Sequence, residues 1–581
     1  MKQLLKSFTK RDYLYIFFAV LLIVAQVWLD LTMPDYTANL TKSVTSGNLT
    51  MNEIWYNGGM MLLCALASLA CSIVCGFFVS RFAGSFSKNT RQRLFDKITT
   101  FSAEEMNKFS TPSLITRTTN DVEAVHRFVA MGLQMLIKAP ILAIWAICKI
   151  SSTSFEWTLA TGICVVIIVS VVGLVISVCI PKIKKVQKLT DNLNNATREN
   201  LSGVRVIRAF NAESYQEQKF ENANVNLMKN QLYTSKVTGL ISPVLTLCMN
   251  GLTLAIYWIG AILINNAPLA EKATIIGNMT AFTQYALQVV MAFMMLVMMF
   301  IILPRLIVSS KRINEVLSAK PKIVDGTSDG GDGEGVIEFK NVSFRFPDGA
   351  NNALQDINFK IEKGQTVAIV GATGSGKTTL LDLLTRNYDV TEGEILVDGV
   401  NVKDYELSKL QDKISMVCQK AVLFKGSIKS NITYGYDKAV KDDDKRIADA
   451  IDIAQANFVY DLEKGIKADV AQGGTNFSGG QKQRLSIARA VFKNGEIIAF
   501  DDSFSALDYK TDSIVRGKIK ENLSDKTIII VAQRIGTIMN ADKIIVLDEG
   551  KIVGTGTHKT LLEECDVYKE IALSQLSKEE L

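Results

Sequence analysis

The sequence predicts a multidomain membrane protein, with a six-helix all-α transmembrane domain followed by an α/β domain. Three observations predict it. Long apolar runs fill the first half of the chain, and none comparable follows Arg305. A Gly- and Asp-rich stretch then interrupts the pattern between Lys320 and Gly335. Beyond it, alternating and apolar strand patterns mix with helical ones, the signature of an α/β layer structure. Composition agrees, because only 21% of the 581 residues are charged and 48% are apolar, whereas soluble domains run nearer a quarter charged. The formal charge of +6 is too small and dispersed for a nucleic-acid footprint, so no nucleic acid is expected as a partner.

The elements follow in order. A spanning helix needs about 20 apolar residues. Uncharged runs extend from Tyr13 to Leu29, Ile54 to Ser80, Trp157 to Ile180, Val237 to Ala270 and Ala273 to Pro304. A sixth, Phe128 to Cys148, is broken only by Lys138. The basic N-terminus ahead of Tyr13 lacks a small-residue cleavage site after its apolar run, so it reads as a retained first helix. Lys and Arg crowd the segments from Arg81 to Arg127 and from Pro181 to Lys236, while other connections offer little more than Lys42, Lys149 and Lys272. The positive-inside rule places both basic segments and both termini in the cytoplasm of a cell-membrane protein. As helical hairpins with arms of about 20 residues, these segments would project roughly 30 Å. The expected organisation is a transmembrane domain over 1–318, a linker over 319–335 and a nucleotide-binding domain over 336–581.

Chemistry concentrates in the last of these. Thr366-Val-Ala-Ile-Val370 reads as a strand and Leu380 to Leu384 as a helix. Between them lies Gly371-Ala-Thr-Gly-Ser-Gly-Lys-Thr-Thr379, a complete G-x-x-x-x-G-K-T loop in its required setting. That is the mark of a P-loop NTPase. Backbone N–H groups of Gly371, Thr373, Gly374, Ser375 and Gly376 would cradle phosphate oxygens of ATP. Lys377 would reach the terminal phosphates, and Thr378, followed by Thr379, would ligate Mg²⁺. A second apolar strand, Glu496 to Phe500, ends in Asp501, suited to hold Mg²⁺ through water, and Asp502 stands where a general base belongs. Ser478, Gly479, Gly480 and Gln481 open another helix with a phosphate-facing terminus. One nucleotide cannot readily occupy both termini of one chain, so Ser478 is expected to face a nucleotide held by a different subunit.

The order of phosphate loop, Gln419, Ser-Gly-Gly-Gln, Asp501 and Ser505-Ala-Leu-Asp508 resembles the ATP-binding-cassette family, and the six preceding spans resemble its exporter half-transporters. The resemblance implies that Phe346 stacks on adenine and that Gln419 links Mg²⁺ to the membrane half. It also implies that Asp508 lies in a loop crossing a dimer interface, and that Thr111–Ile115 and Asn211–Glu217 are coupling helices. Asn120-Asp-Val122 matches the family's pattern too.

Two positions depart from that pattern. Asp502 stands where the family usually carries glutamate, and Gln533 where it carries a switch histidine. Aspartate is one methylene shorter, and a displacement of about 1 Å can cost roughly 10²-fold in rate. Glutamine can hydrogen-bond a phosphate but cannot shuttle a proton. The chain's only histidines, His126 and His558, fall elsewhere. The expectation is a heterodimer. This chain would bind ATP at a weak site and lend Ser478 to a second half-transporter that supplies glutamate and histidine. Met279, Met291, Met294, Met295, Met298 and Met299 in span six, with Lys138 and Asp30, suit an amphipathic or apolar small-molecule cargo amid membrane lipid. A lipid or peptide exporter, or an ATP-responsive membrane regulator, would share these features.

Overall fold

A computed structural model describes residues 2–47, 50–151, 154–332, 334–436 and 443–576. Gly333 of the expected linker, and 437–442 and 577–581 of the expected nucleotide-binding domain, lie outside the described residues. Packing divides the chain into two compact units: Met1–Thr99 with Pro112–Ala319, and Thr100–Thr111 with Lys320–Leu581.

The first unit is built from α1 (Lys10–Thr45), α2 (Met51–Thr99), α3 (Thr111–Ser151), α4 (Phe155–Ser202), α5 (Glu213–Gly239), α6 (Ile241–Asn266) and α7 (Leu269–Ser318). Among the described residues, six helices are long and apolar enough to cross a membrane, α5 and α6 counting as one. Val27, Val79, Ala146, Ile168, Ile256 and Phe282 interlock between them, while Phe17, Leu62, Val166 and Trp258 are turned outward. Exposed apolar side chains on this scale suit lipid rather than water. At 49 residues, α2 is about 74 Å long, more than twice a bilayer's roughly 30 Å hydrocarbon core. The basic segments are thus helical continuations of the spans. Met279 is buried and fills the space beside Gly260, so it serves packing, whereas Met291 and Met298 are exposed.

The charges inside the apolar region are paired. Lys138 Nζ lies 3.4 Å from Asp30 Oδ2, and Ser68 Oγ donates to the other oxygen at 2.6 Å. Gln288 Nε2 donates to the Asp30 carbonyl at 3.1 Å. Lys149, read from sequence as a loop charge, instead ends α3 and meets Asp35 at 2.7 Å, while Tyr285 Oη donates to the same carboxylate. Further along α3, where two π-helical stretches (Arg117–Asp121 and Phe128–Gly132) break its regularity, Asp121 accepts from Ser309 Oγ at 2.9 Å and faces Arg312 at 3.3 Å.

The second unit carries two main sheets. One is four-stranded, in the order β2 (Leu354–Ile361), β1 (Ile337–Phe344), β4 (Glu392–Val397), β5 (Val400–Asn401). The apolar residues of β1, Ile337, Phe339, Val342 and Phe344, do not keep strict alternation. Asn341 adopts a positive φ of 49° and the register shifts after Phe339, which breaks the alternation a reader would follow. The larger sheet runs β12 (Lys551–Gly556), β11 (Lys543–Asp548), β3 (Thr366–Gly371), β10 (Thr527–Val531), β9 (Ile497–Asp501), β6 (Ile414–Val417). A small pair, β7 (Gly426–Ser427) and β8 (Asp469–Val470), lies apart.

From β11 to β6 the large sheet is parallel. Val367, Ile369, Ile529 and Val531 enter one core with Leu380 and Leu384, while Ala368, Val370, Ile528 and Ile530 enter the other with Leu485 and Val515. Burial on both faces explains why these strands read as continuous apolar runs rather than alternating ones. Each fully buried aliphatic side chain contributes about 1.5–3 kcal/mol.

Candidate nucleotide-binding site

Parallel pairing brings the C-terminal ends of β3, β10, β9 and β6 to one edge of the sheet. Open α/β sheets place their ligands at this edge. The loop after β3 is 371–376, and it feeds the helix α8 (Lys377–Leu384). Gly371 admits no side chain, because a Cβ would stand 2.1 Å from the Leu547 carbonyl oxygen. Gly374, at φ +86°, has nothing within 4 Å of where a Cβ would be, so its backbone borders open space at the loop's mouth. Lys377 Nζ donates to the carbonyls of Gly371 at 2.9 Å and Ala372 at 2.8 Å, with Ser375 Oγ 3.5 Å away. Burial pushes its ammonium below the ordinary value, against the pull of Asp502 and Asp501.

Thr378 Oγ1 donates to Asp501 Oδ1 at 3.0 Å. Burial raises the Asp501 carboxyl above its usual range, with the Thr378 hydroxyl opposing. A hydroxyl and a carboxylate in contact beside an open glycine loop are hard oxygen donors of the kind Mg²⁺ takes, so the residues present fit the ion.

Asp502 begins the turn after β9 with a positive φ of 45°, its N–H donating to the Val531 carbonyl at 2.9 Å. Two amides converge on its Oδ2: Gln533 Nε2 from the end of β10 at 3.0 Å, and Gln419 Nε2 from beyond β6 at 3.3 Å. An amide Nε2 only donates, which settles the sense of both bonds. Gln419, Asp501, Asp502 and Gln533 therefore meet Lys377 and Thr378 at one edge. The histidines do not: His558 is buried with Nδ1 2.8 Å from Tyr568 Oη, and His126 Nδ1 lies 3.1 Å from the Ala83 carbonyl oxygen.

Phe346 is partly exposed, edge-on to Phe344 at 4.9 Å and to Tyr388 at 5.5 Å. These rings line a cleft of about 400 Å³ together with Pro347, Glu104 and Lys322. Tyr388 was not foreseen; an aromatic just after a P-loop helix is an ordinary core residue, and only the fold sets it beside Phe346. Its hydroxyl accepts from Asn107 Nδ2 at 3.0 Å, in the short helix Ala103–Phe109. In that helix Glu105 accepts from the backbone N–H of Lys322 at 3.2 Å. The first-loop segment that packs within the nucleotide unit is thus 100–111, whereas the coupling helix was expected at Thr111–Ile115, most of which belongs to the first unit.

Ser478 caps α9 (Gly479–Lys493): its Oγ accepts from Gln481 N–H, and Gln481 Oε1 accepts from Ser478 N–H at 2.9 Å. A Cβ on Gly479 would meet nothing within 4 Å, while one on Gly480 would lie 3.3 Å from the Ala506 carbonyl oxygen. Asp508 caps α10 (Tyr509–Asn522), and the Thr511 N–H and hydroxyl hold its carboxyl below the ordinary value. Serine loop and Asp508 loop are therefore neighbours, and no hydrogen bond among the described residues joins them to Lys377.

Residues 16–293 match the family model "ABC transporter transmembrane region", and residues 354–505 match "ABC transporter". The chain belongs to the ABC transporter family. An uncharacterised ABC transporter ATP-binding protein, Rv1273c of Mycobacterium tuberculosis (strain ATCC 25618 / H37Rv), is 38% identical over 89% of this chain and 87% of its own. YheI of Bacillus subtilis (strain 168), a probable multidrug resistance ABC transporter protein, is 30% identical over 97% of this chain and 95% of its own. The ATP-dependent lipid A-core flippase of Haemophilus influenzae (strain 86-028NP) is 30% identical over 85% and 84%. A solved bacterial Atm1-family ABC exporter with ATP bound shares the fold at a TM-score of 0.80, with 22% identity over 98% of this chain and 99% of that one. This ABC transporter chain thus unites membrane domain and ATPase domain in one polypeptide.

Proposed function

We propose that this chain is one subunit of a heterodimeric ATP-driven exporter whose own phosphate loop holds ATP without hydrolysing it efficiently. The observation that carries the reading is the environment of Asp502. One oxygen of this carboxylate, Oδ2, already accepts from both Gln419 and Gln533, which lowers the group's readiness to take a proton from an attacking water. No histidine stands at the end of β10 to complete the site. The loop residues 371–376 and Lys377 hold the triphosphate, Phe346 packs against the base, and Thr378 and Gln419, with Asp501 nearby, hold Mg²⁺. Mg²⁺ supplies charge neutralisation at the phosphates when bound.

Ser478, Gly479, Gly480 and Gln481, with Asp508 beside them, complete the competent site of a second half-transporter. ATP closes the paired nucleotide domains, and turnover at the competent site resets them. Both termini and the nucleotide domain face the cytoplasm of a bacterial cell membrane. The exposed methionines of α7 and the relatives' names support an amphipathic or apolar cargo leaving the membrane, a drug in one relative's case and a lipid in the other's. The experiment is a comparison of variants in the purified pair. Ser478→Arg should lower steady-state ATP turnover more than Lys377→Ala does. The reverse ranking, or brisk turnover by this chain alone, overturns the assignment.

A further inference from the structure

The N-terminal segment is pinned to α2 before the first span begins. Arg93 donates to the Gln3 carbonyl at 2.7 Å and to Ser7 Oγ at 2.8 Å, and Asn89 Nδ2 donates to the Ser7 carbonyl at 3.2 Å. Phe8 inserts edge-on against Phe82 and Phe86, each at 5.3 Å. Beside this fixed segment, α1 and α2 leave an open cleft of about 830 Å³. Lys10, Arg11, Arg81 and Lys88 line it, with Tyr15 and Asn89.

Its charge is unbalanced. No ion pair among the described residues involves any of the four cations, and Arg81 instead lies 5.3 Å over the Phe77 ring. Asp12, the acid nearest in sequence, is fully buried and accepts from Thr9 N–H at 2.7 Å and Thr9 Oγ1 at 2.8 Å. The cleft also has a defined depth. The uncharged run of α1 starts at Tyr13 and that of α2 stops at Ser80, so the cations stand where the apolar surface begins. Tyr13, Leu14, Phe17 and Phe77 continue that surface as exposed apolar side chains.

The geometry points to a binding site for the headgroup of an anionic phospholipid in this cleft, with its acyl chains along the exposed apolar faces of α1 and α2. Unpaired Lys and Arg at the membrane boundary favour anionic headgroups. A free phosphate would leave the apolar faces unused, and a zwitterionic headgroup would bring its own ammonium against four cations.

The test is native mass spectrometry of the full-length chain in detergent, titrated with phosphatidylglycerol, phosphatidylcholine or inorganic phosphate. Phosphatidylglycerol should bind, and Lys10→Gln/Arg11→Gln/Arg81→Gln/Lys88→Gln should weaken it by roughly tenfold or more. The charge-retaining Lys10→Arg/Arg11→Lys/Arg81→Lys/Lys88→Arg should bind as the natural chain does. Lys185→Gln/Lys188→Gln/Arg198→Gln/Arg205→Gln, which removes four cations elsewhere, should also leave binding intact. If the quadruple cleft variant does not fold, Arg11→Gln and Lys88→Gln singly should each cost about fivefold. Equal loss in the control variant, equal binding of phosphatidylcholine, or equal binding of inorganic phosphate overturns the site.

Discussion

The restored-site variant Asp502→Glu/Gln533→His tests why this chain's own site should be slow. Aspartate at 502 is short by one methylene, about 1.5 Å of reach, and a misplacement of about 1 Å costs roughly 10²-fold. Reach is only half of the obstacle, because Gln533 Nε2 already donates to the Asp502 carboxylate at 3.0 Å. A hydrogen bond to a charged group is worth about 1.5–3 kcal/mol, so that amide is not displaced freely. Asp502→Glu alone should therefore gain little, since the longer side chain still meets Gln533. The double variant removes the amide and adds a group able to carry charge. It should raise turnover at this site by about 10²-fold. The assay is phosphate release by the assembled pair in which the partner's phosphate-loop lysine has been replaced, so only this site is read. Unchanged turnover in the double variant, with ATP still retained by the chain, would refute the reasoning.

Two further outcomes concern stability. Lys138→Met should destabilise the membrane unit by about 2 kcal/mol, less than a fully buried pair would lose, because both side chains are partly exposed. Adding Asp30→Asn should recover most of that in detergent melting, and additive losses would show that the pair is not coupled. Burial holds the His558 imidazole below its ordinary value near 6.5. A depressed value means that the unfolded chain takes the proton first. The stability His558 contributes is therefore present above pH 6.5 and lost as pH falls through its folded value. Melting between pH 7.5 and 5.5 should show that loss in the natural chain and a flatter profile in His558→Phe.

What could be read in advance was what is written locally. The phosphate loop carries its strand, turn and helix in one unbroken stretch, Thr366 to Leu384, and the spans announce themselves by length and apolarity. The meeting of Gln419, Asp502 and Gln533 could not be read as a contact, because it depends on the strand order β3-β10-β9-β6. Asp30 and Lys138 lie 108 positions apart, and each taken singly looks like a charge seeking the membrane surface. Lys149 was assigned to a connection because it follows an apolar run, yet its partner Asp35 lies within α1. Asn341 takes a left-handed conformation in mid-strand, which interrupts the alternation of β1.

The helix Ala103–Phe109 sits early in the chain yet packs with residues that follow Lys320. During synthesis this piece leaves the ribosome more than two hundred residues ahead of Lys322 and Tyr388, its eventual neighbours. It must wait, tethered between two membrane helices, until the rest of its unit arrives. A fragment cut to begin at Lys320 would never receive it, and would present the bare Lys322 N–H and the Tyr388 hydroxyl to water. Measurements on such a fragment would describe a body with one of its own parts missing.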